Sequence, residues 1–430
     1  MILAALAVHL VAACGEPGYT APPVPQFTGG TRAAAAAGLA GAAPAVGVDP
    51  TVAPTAAPTT LPVAIDPADV AADLAPGESL PDDAGWSVAD MLTSDDAGAV
   101  LPNFSGWDAF DAALKRRLVP ANWAAGVAVM VGGQLVHAAA YGERAPGEPV
   151  DTSDRFRVAS ISKTITAIVA LQLVEDGLLS LDEPVGATIA AYVGVTPGDP
   201  DVGNLTLRRL LNHTSGFPKA EGTFFGGGAN SCADAAAGAY GGSLPAAAGY
   251  LYSNMNYCSI GLLIEAVTGL PYERVVHERL LEPLGIRGMR LTSTYETGPD
   301  EVLHHPSRNR NFMEALGAAG AWNATPADLV TILNSIDPAT PGWKALSPES
   351  MAAMQPPAVG GYGLGLIGYA SGWGHTGTIQ NTHAMLAAQP DGITWAVTVS
   401  GDYPSQTSNL AGIVAAALAE AFPREHSRSS

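Results

Sequence analysis

An apolar stretch near the middle of the chain gives the clearest structural signal. Residues 165–174 are mostly apolar, follow a polar segment, and are followed by Gly177. The run is too short to span a bilayer, and its apolar residues cover all sides of a helix, which is typical of a buried helix. Gly177 suits the helix end, because glycine readily adopts the left-handed conformation found there.

Shorter patterns on both sides of this helix predict antiparallel strands and further helices. Residues 126–131 and 134–141 are β-rich and are separated by Gly132-Gly133, a hairpin signal. A second hairpin is predicted around the turn at residues 390–392. Its strands include residues 374–378 and 394–399, and helices are predicted over residues 205–212, 259–267 (ending at Gly269) and 410–421.

The first hundred residues have a different composition. Residues 1–14 are almost wholly apolar up to Cys14 and look like a bacterial lipoprotein signal, cleaved before a lipid-modified cysteine. No Lys or Arg precedes the apolar stretch, and a plain secretory signal remains the alternative. Residues 15–103 are rich in Ala, Pro, Gly and Thr, so they bury too little apolar surface to offset their ordering entropy. We expect a disordered tether there and a folded domain over residues 104–424, lipid-anchored to the outer face of the bacterial cell membrane.

The charge balance excludes one class of partner. The chain has 20 basic and 40 acidic residues, a formal net charge of −20 at pH 7. Because the sequence has no basic patch, nucleic acid is not an expected partner. The excess of acidic residues favours solubility and repels anionic surfaces.

The polar start of the central helix carries the first candidate chemistry. Ser160 and Lys163 are three residues apart, so they share one helix face, with the hydroxyl near the helix N-terminus. A serine paired with a lysine is one way to activate a nucleophile. A free lysine, with a pKa near ~10.4, is a poor base, and burial would lower that pKa. The alternative is a helix cap with a surface lysine.

A second candidate segment contains Tyr252 and Asn254. In extended backbone, residues two apart point the same way, so both side chains would face one site. A tyrosine beside an ammonium group ionises more easily and can accept the serine proton. An asparagine amide can hold the lysine and a substrate carbonyl. The alternative is a polar turn that caps the next helix.

A third candidate segment is His375-Thr376-Gly377-Thr378. Gly377 would let a substrate approach the backbone closely. The backbone N–H groups of Ser160 and Thr378 would together form an oxyanion hole, in which one donor is typically worth ~10²–10³ in rate. The alternative is that His375 is a loop histidine without a role.

Two other segments have simpler interpretations. His213 and Ser215 suggest a Ser/His pair, but their place after a predicted helix favours a helix-end turn. The sequence contains no Gly-x-Ser-x-Gly elbow, which argues against an ordinary α/β-hydrolase. Residues 225–243 are glycine-rich and are predicted to form a loop along a cleft.

In this order, the three candidate segments resemble the serine β-lactamase and penicillin-binding-protein superfamily. The resemblance is to its class C β-lactamase-like branch, which includes D,D-carboxypeptidases, esterases and D-amino-acid peptidases, and it covers about residues 104–422. It implies an α/β (α+β) fold: an antiparallel sheet, flanked by helices and built from both ends of the catalytic region, plus a mostly helical region between.

The resemblance also implies a mechanism. Ser160 would attack a carbonyl and form an acyl-enzyme, Lys163 and Tyr252 would share the proton transfers, and water would release the acyl group. No metal or organic cofactor is implied, and the expected partner is a small-molecule or peptide substrate, with the oligomeric state left open. The predicted substrate-binding residues are Asn254, His375, Thr376, Gly377 and Thr378, the last completing the oxyanion hole.

One departure bears on the substrate. His375 stands where many β-lactamases have a lysine, whose charge would hold a substrate carboxylate, and histidine is only partly charged at neutral pH. We therefore expect esterase or D,D-peptidase-like action on an ester, amide or peptide rather than potent β-lactam hydrolysis. The alternative, from another class of function, is a catalytically inactive penicillin-binding-like protein that binds cell-wall peptide or a partner.

The cysteines are consistent with export. If Cys14 carries lipid, Cys232 and Cys258 remain, and they would pair in an oxidising compartment. Closing the loop between them with a disulfide would add roughly 3 kcal/mol to the free energy of unfolding in the chain-entropy model. The alternative is two buried free thiols.

Overall fold

The computed structural model describes residues 106–244, 249–304, 311–358, 360–369, 372–390, 392–401, 403–404 and 407–421. The predicted signal over residues 1–14, with the lipid site at Cys14, and the predicted tether over residues 15–103 lie outside the described residues.

The strands lie mostly near the two ends of the described chain. They are β1 (Asn122–Val131), β2 (Gln134–Ala145), β3 (Glu148–Pro149), β4 (Phe156–Arg157), β5 (Asn323–Ala324), β6 (Ile367–Tyr369), β7 (Gly372–Ile379), β8 (Thr382–Ala388) and β9 (Ile393–Gly401). Within the described residues, the main sheet has the order β3-β2-β1-β9-β8-β7-β6 with antiparallel neighbours, and β4 pairs with β5 separately. The pairing of β1 with β9 joins the two ends of the domain in one sheet.

The helices fill the middle of the chain and both of its flanks. They are α1 (Trp107–Leu118), α2 (Ser162–Glu175), α3 (Gly186–Tyr192), α4 (Pro200–Gly203), α5 (Leu207–Leu211), α6 (Glu221–Phe224), α7 (Cys232–Tyr240), α8 (Asn254–Thr268), α9 (Tyr272–Val276), α10 (Phe312–Leu316), α11 (Pro326–Asn334), α12 (Pro348–Met354) and α13 (Asn409–Ala421). The antiparallel sheet, its flanking helices and the mostly helical region between confirm the predicted fold class.

Side chains of β1 alternate between two hydrophobic cores. Val127 and Val129 pack in a core that includes residues of α1 and α13, whereas Ala128 and Met130 belong to a larger core that includes α2. The sheet is therefore a middle layer with helices on both faces. The first hairpin is confirmed: its turn uses Gly132-Gly133 with φ values of 54° and 81°, the conformation that a two-residue hairpin favours.

The central helix α2 is confirmed as a buried element. Every residue from 162 to 173 is buried, so the helix has no solvent-facing side over that length. It ends where predicted, because Gly177 has a φ of 71° and the following N–H, of Leu178, donates to the Leu173 carbonyl at 2.9 Å.

The predicted loop over residues 225–243 is wrong for about half its length, where α7 forms. Alanine-rich sequence favours a helix, and the Ser231 hydroxyl caps it by accepting a bond from the Asp234 N–H at 3.1 Å. The first residue of α7, Cys232, forms a disulfide with Cys258 of α8, with Cα atoms 5.6 Å apart. The predicted pairing is therefore found, and it ties two helices together. In the described part of the chain, no helix is both long and apolar enough to cross a membrane.

Candidate active site

Ser160 lies in a short 3-10 turn, Ala159–Ile161, that leads directly into α2. The residue before it, Ala159, has a φ of 46°, a conformation that side chains other than glycine rarely adopt. Such strain is kept where the surrounding structure requires a fixed geometry, often at functional sites. The turn holds the hydroxyl at the helix N-terminus, and Ser160 is 7% exposed.

Lys163 is completely buried, one helical turn after Ser160. Its Nζ donates to Ser160 Oγ at 2.8 Å, to Asn254 Oδ1 at 2.8 Å and to the Ala319 carbonyl at 3.0 Å. Three oxygen acceptors satisfy the three N–H groups of an ammonium, which is the condition for burying such a group. The predicted meeting of serine and lysine on one helix face is found, and the surface-lysine alternative is wrong.

Tyr252 covers another side of the ammonium group. The Nζ of Lys163 lies 4.7 Å from the centroid of the Tyr252 ring and 5.9 Å from that of Tyr257, so both rings can stabilise the charge. The predicted extended run is only partly found: Ser253 is extended, with φ −145° and ψ 129°, but Asn254 is the first residue of α8. The two side chains nevertheless converge on Lys163.

The helix cap and the candidate site share one turn. Ser253 caps α8 by accepting a bond from the Met255 N–H at 3.3 Å, and its hydroxyl donates to the Pro218 carbonyl at 2.7 Å. This cap starts α8 five residues before the predicted helix at residue 259. The capping alternative is thus correct for Ser253, while Asn254 contacts the lysine.

Strand β7 lies against the turn that carries Ser160. A Cβ at Gly377 would lie 2.1 Å from the Val158 carbonyl oxygen and 3.1 Å from the Ser160 nitrogen. Only glycine therefore fits. The prediction that Gly377 admits a substrate needs correction, because the nucleophile's own turn occupies the space where its side chain would be.

The two threonines of the third segment point to the opposite strand face from His375 and Gly377. Thr376 is buried, and Thr378 is partly exposed. The Thr378 hydroxyl lies 2.5 Å from that of Thr407, so its side chain is held on the side of β7 away from Gly377.

His375 is fully buried in β7, which excludes the loop interpretation. The Tyr362 hydroxyl donates to its Nε2 at 3.1 Å, and its Nδ1–H donates to the Thr376 carbonyl at 2.5 Å. Burial, and then the positive charge of Lys163, lower the pKa of His375 to about 3. The expected partial charge is therefore absent: the imidazole is neutral at pH 7, and it offers a substrate carboxylate no positive charge.

His213 is the residue that the sequence patterns underrate. It does occupy the predicted helix-end turn, after α5. Its buried ring also lies 4.2 Å from the Tyr252 ring, centroid to centroid. Ser215, its suspected partner, instead donates to Asn256 Oδ1 at 2.5 Å. No sequence signal links His213 to Tyr252, because they are brought together only by folding.

Among the described residues, no three His, Cys, Asp or Glu side chains are grouped so that they could hold a metal ion. The chemistry that the site offers is instead a hydroxyl, an ammonium group, an aromatic ring and an amide in contact, with a strand backbone beside them. This set suits nucleophilic attack on a carbonyl carbon.

The family model described as "Beta-lactamase" matches residues 115–425, which is most of the chain and includes the whole candidate site. The chain belongs to the β-lactamase family. It is therefore a serine hydrolase by family, as the resemblance predicted, and it shares that family's fold.

Similar proteins are named for several activities. Penicillin-binding protein 4 of Amycolatopsis lactamdurans is 30% identical over 296 residues, covering 62% of this chain and 72% of the relative. The D-alanyl-D-alanine-carboxypeptidase/endopeptidase AmpH of Escherichia coli (strain K12) is 27% identical over 237 residues, covering 48% of this chain but only 56% of AmpH. A D-stereospecific amidohydrolase from Streptomyces sp. is similar in structure, with a TM-score of 0.57, 27% identity, and coverage of 73% of this chain and 98% of that one.

Proposed function

We propose that this β-lactamase-family enzyme hydrolyses an ester, amide or peptide through an acyl-enzyme on Ser160. The observation that best supports the proposal is the position of Lys163 Nζ, 2.8 Å from both Ser160 Oγ and Asn254 Oδ1. A nucleophile and a proton acceptor within hydrogen-bond reach, with a third group that orients the acceptor, are what covalent catalysis requires.

In the acylation step, Ser160 Oγ forms a bond to the substrate carbonyl carbon, and the bond from that carbon to the leaving group breaks. For this step Lys163 must be the neutral amine, which accepts the hydroxyl proton from Ser160. A proton then passes by way of Tyr252 to the leaving group. The backbone N–H groups of Ser160 and Thr378 stabilise the oxyanion, and Asn254 orients the substrate. In the second step, the oxygen of a water molecule bonds to the same carbon and the bond to Oγ breaks. A proton from that water returns to Oγ, which releases the acid and restores the serine.

The neutral state of His375 supports a choice of substrate within this chemistry. A free carboxylate beside β7 would receive no charge from this histidine, so an ester or an amide is favoured over a substrate recognised by its carboxylate. The names of the relatives, which include a D-alanyl-D-alanine-carboxypeptidase/endopeptidase and a D-stereospecific amidohydrolase, support an acyl group derived from a D-amino acid.

A substrate panel and one variant test this proposal. Purified wild type and Ser160→Ala are assayed with p-nitrophenyl esters, a D-amino-acid amide, a D-Ala-D-Ala peptide and nitrocefin, and both are incubated with a fluorophosphonate probe. We expect turnover of the esters or the amide, slow or undetectable hydrolysis of nitrocefin, and labelling that is lost in Ser160→Ala.

Two results would contradict the proposal. Equal turnover by Ser160→Ala would exclude Ser160 as the nucleophile. Labelling of Ser160 without turnover of any member of the panel would instead favour the inactive penicillin-binding-like protein.

A further inference from the structure

We propose that His213 is a positioning residue that fixes Tyr252 beside Lys163. The inference rests on the proposed function, because it matters only if Tyr252 takes part in proton transfer. His213 does not contact the reacting atoms in this scheme. It acts on the tyrosine that does.

His213 accepts hydrogen bonds from the residues immediately before and after Tyr252. The N–H of Leu251, the preceding residue, donates to the His213 carbonyl at 2.9 Å. The N–H of Ser253, the following residue, donates to His213 Nδ1 at 3.2 Å. Between these bonds, the imidazole lies over the tyrosine ring at 4.2 Å with a tilt of 31°. The two hydrogen bonds therefore hold the backbone on both sides of Tyr252, and the imidazole face limits the movement of the tyrosine ring.

The backbone conformation explains how one residue makes all of these contacts. His213 has a φ of 59°, in the left-handed region that His, Asn and Asp adopt more readily than most residues. This conformation ends α5 and turns both the carbonyl and the side chain toward residues 251–253. A strained residue with three contacts to one neighbouring segment is typical of a fixed functional geometry.

A second pair of residues fixes the imidazole itself. The Asn256 amide nitrogen donates to His213 Nδ1 at 2.8 Å, and the Ser215 hydroxyl donates to the oxygen of the same amide at 2.5 Å. Because Nδ1 accepts from two donors, the ring proton is on Nε2. Burial, together with the charge of Lys163, also lowers the pKa of His213 well below its usual value, so the ring stays neutral beside the ammonium group.

Two substitutions at His213 separate its contributions. His213→Ala removes the ring and the Nδ1 acceptor, and we expect kcat to fall by about 10²-fold, with KM within about threefold of wild type. His213→Asn tolerates the positive φ and places an amide oxygen near the Nδ1 position, so we expect a smaller loss, about tenfold. The matched control is His137→Ala, which removes another packed histidine, stacked on Trp107 and bonded to Asp111, and should leave kcat unchanged.

A double-mutant cycle with Tyr252→Phe decides whether His213 acts through the tyrosine. The rate of Ser160 labelling by the fluorophosphonate is measured for wild type, both single variants and the double variant. If His213 acts through Tyr252, His213→Ala should slow labelling by less than about threefold in the Tyr252→Phe background. An equal loss in both backgrounds would overturn the inference, as would wild-type kcat in His213→Asn and His213→Ala.

Stability and chemistry are kept apart by two controls. If His213→Ala fails to fold, His213→Asn replaces it in the same double-mutant cycle. The urea midpoint of His213→Asn, compared with that of the wild type, shows whether the variant is fully folded under the assay conditions. If Ser160→Ala abolishes labelling while the His213 variants behave as wild type, only this inference fails. If Ser160→Ala keeps full activity, the proposed function fails.

Discussion

A buried ammonium group needs acceptors on several sides, and Lys163 takes one from its own helical turn and two from distant parts of the sequence. Ser160 is on the same helical turn, Asn254 begins α8, and the third acceptor is the carbonyl of Ala319. The burial of Lys163 is tolerable only because all three oxygens are present. The geometry of the nucleophile thus depends on the middle of the chain as much as on α2.

Gly377→Ala is expected to reduce both activity and stability. The new Cβ would lie 2.1 Å from the Val158 oxygen, so β7 must move away from the turn of Ser160. A shift of this kind should lower kcat by about 10²-fold and destabilise the fold by roughly 1–3 kcal/mol. Ester kinetics and urea unfolding measure the two effects.

The control for Gly377 is Gly238→Ala. Gly238 lies inside α7 with nothing within 4 Å of the added Cβ. This change should leave kcat unchanged and stabilise the helix by roughly 0.5–1 kcal/mol. Wild-type kinetics in Gly377→Ala would show that the close approach of β7 is not needed.

The pKa of His375 predicts a pH dependence of stability. This pKa is about 3 in the folded protein and near 6.5 in the unfolded chain, so the unfolded state binds more protons between these values. The free energy of unfolding should therefore fall as the pH is lowered from 6.5 toward 3. In His375→Gln, which cannot titrate, urea unfolding at pH 7 and pH 4.5 should show a smaller fall. An equal fall in both proteins would mean that His375 is charged or exposed when folded.

At the scale of single residues, spacing along the chain explains which parts of the site could be predicted from the sequence. Ser160 and Lys163 are three residues apart, and helical geometry alone brings them together. The neutral state of His375 and the position of His213 against Tyr252 depend on contacts between residues far apart in sequence. No periodicity or composition encodes such contacts, so neither could be read from the chain.

At the scale of elements, strong local signals gave correct helices and turns, and competing signals did not. The apolar run of α2 and the glycines at its end and in the first hairpin agree with the structure. Helix α7 was missed because the glycines around it suggest a loop, although Ser231 and Asp234 are placed as a helix cap. The start of α8 differs for a similar reason: the polar segment before residue 259 favours a turn that caps a later helix, whereas Ser253 caps a helix that begins at Asn254.

Removal of the disulfide is expected to weaken the contact between α7 and α8. The bond closes a loop with a sequence separation of 26, and the double variant Cys232→Ala/Cys258→Ala should lose roughly 3 kcal/mol of unfolding free energy. Urea unfolding with and without reductant measures the change. Reductant should destabilise the wild type to a similar degree and leave the double variant unaffected. A wild type that is indifferent to reductant, or whose Cys232 or Cys258 reacts with a thiol label when unfolded without reductant, would contradict the prediction.

At the scale of the molecule, the sheet and the site are assembled from the same long-range pairings. Strand β1 pairs with β9, and the helical region between the two halves of the sheet supplies Tyr252 and Asn254. The fold class was predictable because three motifs in order resemble one superfamily. The register of β1 on β9, which places Val127 opposite Val397, could not be predicted. Both strands are buried on both faces, so the hydrophobic pattern does not select one register.

This arrangement predicts that residues 1–103 are dispensable for catalysis. All strands of the main sheet and every residue of the candidate site lie within residues 106–421. A chain of residues 104–430 should therefore fold and keep kcat/KM within about twofold of the full-length protein. The matched full-length control is Cys14→Ser, which retains the first segment but cannot be lipidated. If Cys14 is the anchor, this control should move from the membrane fraction to the soluble fraction with unchanged kinetics. Loss of cooperative unfolding in the shortened chain would place part of the first 103 residues inside the domain.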